Sequence, residues 1–466
     1  MSPLDVRGKA IAVAGAGLTG RATARVLLSL GANVCLYDTR AFDALPSDVR
    51  ADLPGLPCEL RAGTNAGLAE HELVVTSPGI AITDPCFDPA RAAGVEVISE
   101  IEAAYRLWPQ ARIVAVTGTN GKSTTTALTG EMLRQAGLPV RVCGNIGLPF
   151  INEVAEVAAN RGAMANTWFV IEVSSFQLEA TRFFRARAAA LLNVSDDHAD
   201  RHPTMAEYIA AKARLFVQQA SEGTAVLNAG DAACRQVASQ AKGQVVWFAA
   251  SDAPCPACTI RDGRIALIGA GSEEVLCGAS RIRLMGRHNL ENVLAAAALA
   301  SAVGAGGDAI GHALDAFEPA PHTFRRVGIV GGVTIINDSK GTNVDATVRG
   351  LDGIDAPIVL IAGGSSKGAD FEPLGKVLAA KARALVVLGQ TADAIADVAR
   401  RHGLRRIVKV NGMEAAVHYA YGEARPGDFL ILSPACASFG LFENYKHRGL
   451  VFEEAVARLP GFSPEA

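Results

Sequence analysis

V-T-G-T-N-G-K-S-T-T-T at 116–126 is the stretch that decides how this chain is read. It follows the apolar run I-V-A-V (113–116) and leads into a helix-like stretch at 127–135. A Gly-rich turn between strand and helix presents backbone N–H groups and a positive helix end to a polyphosphate. Lys122 adds a mobile cation for the terminal phosphates, and the Ser123 hydroxyl suits Mg²⁺. Val116 stands where the general P-loop pattern has its first glycine, and Gly-Lys-Ser by itself is also found in ordinary turns. Between this strand and this helix the loop reads as an ATP site.

The surrounding chain alternates strand and helix in three stretches. The first has an apolar strand at 9–14, then G-A-G-L-T-G (15–20), an apolar-periodic helix to about Leu30, and a strand at 33–37 ending on Asp38. Three glycines after a strand, with an acid about twenty residues on, form the dinucleotide fingerprint of a Rossmann-like βαβ unit. Its ligand stays open between a nicotinamide, a flavin and a nucleotide-sugar. L-V-V-T-S-P-G-I (73–80) is another strand running into a turn at the ligand-binding end of such a sheet. The middle stretch opens with the phosphate loop and has strands at 168–173, 188–194 and 224–228; residues 242–285 hold short β-like runs of weak functional content. The last stretch has strands at 333–337, 357–362, 384–388 and 429–432. The fold class is α/β, with boundaries near 100 and 320.

The chain has 466 residues, which suggests two to four domains. Half its residues are hydrophobic and a fifth charged, the composition of a globular chain. A net charge of −3 gives no broad nucleic-acid footprint. The N-terminal residues lack a signal-peptide pattern, and the Ala-rich run 293–303 is too short to span a bilayer. A cytoplasmic protein with no membrane partner is expected. Cys255 and Cys258 form a lone CxxC, half the ligands of a structural zinc site; reduced thiols are expected for the nine cysteines.

Several polar residues sit where chemistry is expected. Glu172 ends an apolar strand, where a Mg²⁺ ligand belongs, although an acid opening a helix would look the same. N-V-S-D-D-H-A-D-R-H (193–202) gathers carboxylates, imidazoles and an arginine after another strand, and makes His198 a candidate metal ligand or proton carrier. Lys212 lies in an ordinary helical pattern that gives it no role by itself. Asn289 and Asn292 share a helix face; their amides suit the edge of adenine, with helix capping by Asn289 as the competitor. Three small-residue loops follow strands at 337–343, 363–367 and 433–438, two of them with a lysine, and suggest an anionic small-molecule site.

G-T-N-G-K-S-T (118–124), E-V-S-S-F-Q-L-E (172–179), N-V-S-D-D-H-A-D-R (193–201), A-A-K-A-R (210–214), G-R-H-N-L-E-N (286–292), N-D-S-K-G-T-N (337–343) and S-P-A-C-A-S (433–438) together resemble the Mur ligases. The resemblance runs in order from Gly15 to about Gly449, and is greatest to the branch that adds D-glutamate to UDP-N-acetylmuramoyl-L-alanine. It implies three domains: a Rossmann-like nucleotide-sugar (UDP) domain at 1–100, a central P-loop-type ATP and Mg²⁺ domain with a parallel sheet at 101–319, and a Rossmann-like amino-acid domain at 320–466. It also implies a monomer in which ATP phosphorylates the substrate carboxylate and the glutamate amine attacks the acyl phosphate.

Carried over by motif, the resemblance gives Gly118, Thr119, Asn120, Gly121, Lys122, Ser123, Thr124, Asn292 and Asp338 to ATP. Lys122, His198 and Lys212 become the catalytic set. Ser123, Glu172, His198 and Lys212 serve two Mg²⁺ ions, Lys212 as a carbamate formed with CO₂. Leu18, Thr19, Asp38, Thr39, Arg40, Gly79 and Asn145 go to the nucleotide-sugar, so the fingerprint serves UDP rather than NAD. Thr342, Lys367, Ser438 and the backbone near Tyr445 go to the glutamate. The chain departs from the family pattern at Thr323 (usually a nucleotide-facing Arg), with Arg325 or Arg326 as substitutes. It departs again at Ser365 (often Asp), Gly440 (often acidic) and Tyr445 (often Phe). The rival readings are a relative that adds L-glutamate or another amino acid, a nicotinamide oxidoreductase, and a silent nucleotide-binding protein.

Overall fold

Runs such as R-I-V-A-V-T, W-F-V-I-E and I-V-L-I-A are apolar without alternation, as strands covered on both faces by helices must be. The computed structural model describes residues 3–160, 162–198, 201–251, 253–365, 368–438 and 440–465. Its strands form three sheets, each rich in parallel pairs.

The first sheet contains β1 (Ala10–Ala14), β2 (Asn33–Asp38), β3 (Glu59–Ala62), β4 (Leu73–Thr76) and β5 (Glu96–Ser99), all parallel in the order β3-β2-β1-β4-β5. The chain leaves β1 to build one side and returns to add β4 on the other, so a crevice opens at the carboxyl ends of β1 and β4.

The second sheet contains β6 (Arg112–Thr117), β7 (Val140–Gly144), β8 (Trp168–Glu172), β9 (Ala188–Leu191), β10 (Thr224–Asn228), β11 (Gln244–Ala249), β12 (Ala257–Arg261), β13 (Arg264–Gly269) and β14 (Ser272–Gly278), in the order β14-β13-β12-β11-β10-β9-β6-β8-β7. Strands β7 to β12 run parallel around β6, and β13 and β14 close one edge as antiparallel strands. Here β6 lies between β8 and β9, which makes its carboxyl end the switch point of the sheet.

The third sheet contains β15 (Arg325–Val330), β16 (Val333–Asn337), β17 (Ile358–Ala362), β18 (Ala382–Val387), β19 (Ile407–Lys409), β20 (Phe429–Leu432) and β21 (Phe462–Pro464), in the order β19-β18-β17-β20-β16-β15-β21. Its side chains alternate between two cores: Ile358, Leu360 and Ala362 face one, Val359 and Ile361 the other.

The chain divides into two compact units. The first comprises Met1–Val194, His198–Ile282 and Glu291–Ala316; the second comprises Ser195–Asp197, Arg283–Leu290 and Phe317–Ala466. Within the first unit one apolar core runs through both sheets, taking Ile11, Val13 and Leu36 together with Ile113, Phe169 and Phe216.

The helix after the phosphate loop is Lys122–Gln135, so it begins five residues earlier than the apolar pattern suggests. Polar K-S-T-T-T hides its first turn from any search for periodicity. The strand expected at 188–194 ends at Leu191, because Asn193 turns aside to bond the phosphate loop. No cysteine is in a disulfide. Burial pushes the Cys258 thiol up to about 12, the reverse of a metal-binding thiolate. Among the described residues no helix is long and apolar enough to cross a membrane.

Candidate functional site

The phosphate loop is clamped to the loop after β9. Thr119 N donates to Asn193 O at 2.9 Å, Asn120 N to Asn193 Oδ1 at 2.9 Å, and Asn193 Nδ2 returns a bond to Asn120 O at 3.1 Å. Gly121, at φ +84°, turns the chain into the helix that carries Lys122, Ser123 and Thr124 in its first turn. A Cβ at Gly121 would stand 2.2 Å from Asn292 Oδ1, so Asn292 is brought against the loop. Asn289 is buried and its Nδ2 donates to Met285 O at 2.7 Å, which spends that amide on the turn before its own helix.

Two lysines converge on one carbonyl of this loop. Lys122 Nζ donates to Gly118 O at 3.0 Å and to Thr119 O at 2.7 Å. Lys212 Nζ donates to Gly118 O at 2.9 Å and is 1% exposed. The Tyr208 ring lies 4.3 Å from the Lys212 ammonium, and its hydroxyl is 3.2 Å from Thr119 Oγ1. Sequence reading missed Tyr208. Its spacing of four from Lys212 on the helix Met205–Val217 puts both on one face, which was the available signal.

Glu172 ends β8 beside the loop and is buried. Asn145 Nδ2 donates to its Oε1 at 2.8 Å, while Oε2 is buried without a protein donor. A buried carboxylate oxygen lacking a hydrogen bond is costly unless a cation meets it, so Glu172 and the nearby helix-opening Ser123 fit a metal ion. Among the described residues no three His, Cys, Asp or Glu side chains converge into a ready-made cage. His198 is exposed, holds φ +56°, and sets its ring edge-on to Phe176 at 4.8 Å. His202 instead is buried against Ser175 Oγ at 2.9 Å, and burial lowers its pKa.

At the carboxyl end of the first sheet, Leu18 and Thr19 open the helix Leu18–Ser29, with Leu18 56% exposed. Asp38 is 4% exposed and fully engaged. Its Oδ2 accepts from Ala16 N at 2.9 Å and Arg40 Nη2 at 2.8 Å, and its Oδ1 from Arg40 N at 3.0 Å and Nε at 2.9 Å. Burial would raise this carboxyl, but the Arg40 guanidinium and the two amides outweigh it and hold the pKa below the ordinary value. Thr39 and Gly79 line a cleft of about 860 Å³ whose far wall is Phe176 and Arg201. Arg201 lies over the Phe176 ring at 4.8 Å and is fixed by Glu179 at 2.7 Å and by Ile80 O at 3.1 Å. Asn145 lies with Glu172 at the second sheet instead.

In the second unit Asp338 follows β16. It accepts from Ser433 Oγ at 2.7 Å and from Phe324 N at 3.1 Å, and burial pushes its carboxyl up to about 7 despite those bonds. Thr342 is exposed, Ser438 is buried, and Tyr445 O accepts from Ser339 Oγ at 2.8 Å. Arg448, not singled out in the sequence, is 1% exposed. It ties two of the polar loops together through Ser339 O at 2.7 Å, Ser339 Oγ at 3.0 Å and Cys436 O at 3.0 Å. Lys367 lies outside the described residues. Of the substitutes for the arginine missing at Thr323, Arg326 pairs with Glu465 at 3.2 Å, whereas Arg325 is exposed at the start of β15. Gly440 has φ +96°, so an acidic residue there would be strained in this backbone.

Three family descriptions match the chain in succession: the Mur ligase MurD-like N-terminal domain over 9–99, the Mur ligase middle domain over 116–300, and the Mur ligase glutamate ligase domain over 324–436. A UDP-N-acetylmuramoylalanine–D-glutamate ligase from Alkaliphilus oremlandii is 39% identical over 460 residues, covering 98% of this chain and 100% of the relative. The enzyme of that name from Pelotomaculum thermopropionicum is 41% identical over 460 residues, covering 98% and 99%. Among solved structures, a pseudomurein peptide ligase type C from Methanothermus fervidus superposes with TM-score 0.59 at 18% identity, covering 96% of this chain and 100% of its own. UDP-N-acetylmuramate-alanine ligase MurC from Thermotoga maritima gives TM-score 0.57 at 17% identity, covering 96% and 98%. These structural likenesses carry the three-domain fold, and the matches in sequence carry the rest: the chain belongs to the Mur ligase family.

Proposed function

We propose that this chain joins D-glutamate to UDP-N-acetylmuramoyl-L-alanine at the expense of ATP, as a step of peptidoglycan synthesis. The observation that carries this reading is end-to-end identity of 39–41% to ligases of that name. The phosphate loop at a sheet switch point is its physical counterpart. A carboxylate is a poor electrophile; transfer of the γ-phosphoryl group makes an acyl phosphate, the glutamate amine attacks its carbonyl carbon, and inorganic phosphate leaves. Lys122 and the N–H groups of 118–124 would orient the phosphates, with Asn292 and Asp338 on the rest of the nucleotide. Family membership brings ATP and magnesium dependence. Bound Mg²⁺ would offset the charge between a triphosphate and a carboxylate. Ser123 and Glu172 would hold one ion and His198 the second, with Lys212 as a carbamate supplying an anion at the loop. That carbamate would keep an N–H for Gly118 O.

The cleft at Thr39 and Gly79 would take the nucleotide-sugar, with Leu18, Thr19 and the Asp38–Arg40 pair at its edge and Asn145 nearer the reacting end. Thr342, Lys367, Ser438 and the backbone at Tyr445 would receive the glutamate carboxylates. The domains would divide at 1–100, 101–319 and 320–466. The departures at Ser365 and Gly440 favour keeping L-glutamate as a second reading. Phosphate release and product mass, measured with ATP, Mg²⁺, UDP-N-acetylmuramoyl-L-alanine and each amino acid separately, test both. Product with D-glutamate alone upholds the first reading, product with L-glutamate moves the specificity, and no product with any amino acid rejects the ligase.

A further inference from the structure

The end of the central sheet opposite the phosphate loop carries a second group of charges that the ligase reading does not use. Arg112 and Trp168 open β6 and β8 and are paired in register. Arg187 immediately precedes β9, its N–H on Ile113 O at 2.8 Å. These side chains therefore stand together at the amino ends of the three strands whose carboxyl ends carry the phosphate loop, Glu172 and Asn193. With Arg185 and Tyr105 they line a cleft of about 660 Å³, which meets a second of about 610 Å³ at those last two residues.

Arg112, Arg185 and Arg187 are exposed, and among the described residues none forms an ion pair with a carboxylate. Among the described residues Glu222 is the only acidic one lining this cleft, so three guanidiniums against one carboxylate leave an excess of two positive charges. The helix Arg287–Ala302 also ends here, at its negative pole. Its last carbonyls are engaged, Ala300 O by Val303 N and Ala305 N, and Ser301 O by Gly304 N. A concave surface of one sign concentrates counter-ions.

Arg112 and the start of the segment that carries Arg185 and Arg187 are also held in place. Glu102, fully buried, accepts from three successive amides, Arg182 N at 3.0 Å, Phe183 N at 3.0 Å and Phe184 N at 2.9 Å, and so pins the start of R-F-F-R-A-R (182–187). The Arg112 guanidinium carbon lies 5.4 Å from the centre of the Trp168 ring, a contact that restrains the side chain. A solvated basic face would need neither the buried anchor nor the aromatic bed.

We propose that this cleft is a second anion site, taking a polyphosphorylated small molecule at the amino ends of β6, β8 and β9. The test is equilibrium binding of tripolyphosphate to the full-length protein, followed by calorimetry and by Trp168 emission in a Trp108→Phe, Trp247→Phe background. Two sites are expected in the wild type besides any at the nucleotide-sugar cleft, which is kept occupied by excess UDP. Lys122→Ala should weaken the one at the phosphate loop and leave the Trp168 response in place. Arg112→Gln with Arg187→Gln should weaken the second site about tenfold for each guanidinium, the loss of a charge-assisted hydrogen bond. Equal affinity for tripolyphosphate and ATP assigns the cleft to phosphate alone, and tighter ATP binding adds the base; both uphold it. A Trp168 response and a site count that the arginine pair leaves unchanged would overturn the proposal. If the phenylalanine background fails to fold, the calorimetric count on wild type and the arginine pair decides alone.

Discussion

Gly121→Ala is the sharpest probe of the phosphate loop. Position 121 holds φ +84°, and an added Cβ would lie 2.2 Å from Asn292 Oδ1 and 3.0 Å from its Cγ. The left-handed conformation costs an alanine about 1–2 kcal/mol, and the overlap forces either the loop or the Asn292 amide to move. A loop that relaxes away must be drawn back when the nucleotide binds, so ATP affinity should fall about tenfold from the backbone term alone. Asn292→Ala removes the overlap and leaves the φ penalty. The double variant should therefore bind ATP more tightly than the sum of the single losses predicts, with a coupling of about 0.5–3 kcal/mol. Equilibrium titration of a non-hydrolysable ATP analogue into the four proteins measures the cycle. Wild-type affinity in Gly121→Ala, or strict additivity, would refute the reasoning.

Tyr208→Phe keeps the ring beneath the Lys212 ammonium and removes only the hydroxyl 3.2 Å from Thr119 Oγ1; the rate should fall by a few-fold, as for one hydrogen bond of about 1 kcal/mol, and an unchanged kcat would detach Tyr208 from the loop. Lys212→Ala should be nearly inactive and partly rescued by added short carboxylates, and full activity without them would make Lys212 structural. Glu100 is fully buried, and burial pushes its carboxyl up to about 7 although Ile151 N donates to it at 2.6 Å. A folded-state pKa above the unfolded value means the stabilising contribution is complete below pH 4.5 and lost as pH rises through 7. Glu100→Gln should thus gain on wild type between pH 5 and 8, by up to about 3 kcal/mol, and a thermal-midpoint difference independent of pH would contradict this.

Much of this arrangement is written locally and some of it is not. The phosphate loop, Glu172 and the N-V-S-D-D-H cluster each follow an apolar strand, so periodicity found their positions without any knowledge of the sheet. What brings them together is strand order: β6 lies between β8 and β9, and that adjacency is a property of the whole sheet. Lys212 gave no local signal because its helix face is decided by the loop it packs against, 94 residues away. Arg448 is harder still. A buried guanidinium bonded to Ser339 and Cys436 looks, in sequence, like any helical arginine. The helix start at Lys122 was hidden for a related reason, since its first turn is polar on every side and offers no apolar stripe.

The first sheet shows why a fingerprint alone does not name a ligand. In a nicotinamide site the acid after the second strand must keep lone pairs for ribose hydroxyls. Both oxygens of Asp38 already accept from Arg40 and the Ala16 amide. The pair is close to neutral, and what faces outward is the half-exposed guanidinium of Arg40 rather than a carboxylate. An outward cation beside a Gly-rich turn suits a phosphorylated ligand better than bare ribose hydroxyls. The second sheet follows the same logic, because Lys122 Nζ is held within the phosphate loop itself, on the carbonyls of Gly118 at 3.0 Å and Thr119 at 2.7 Å. The phosphate loop is therefore poised for polyanion binding by the Lys122 ammonium as much as by its amides.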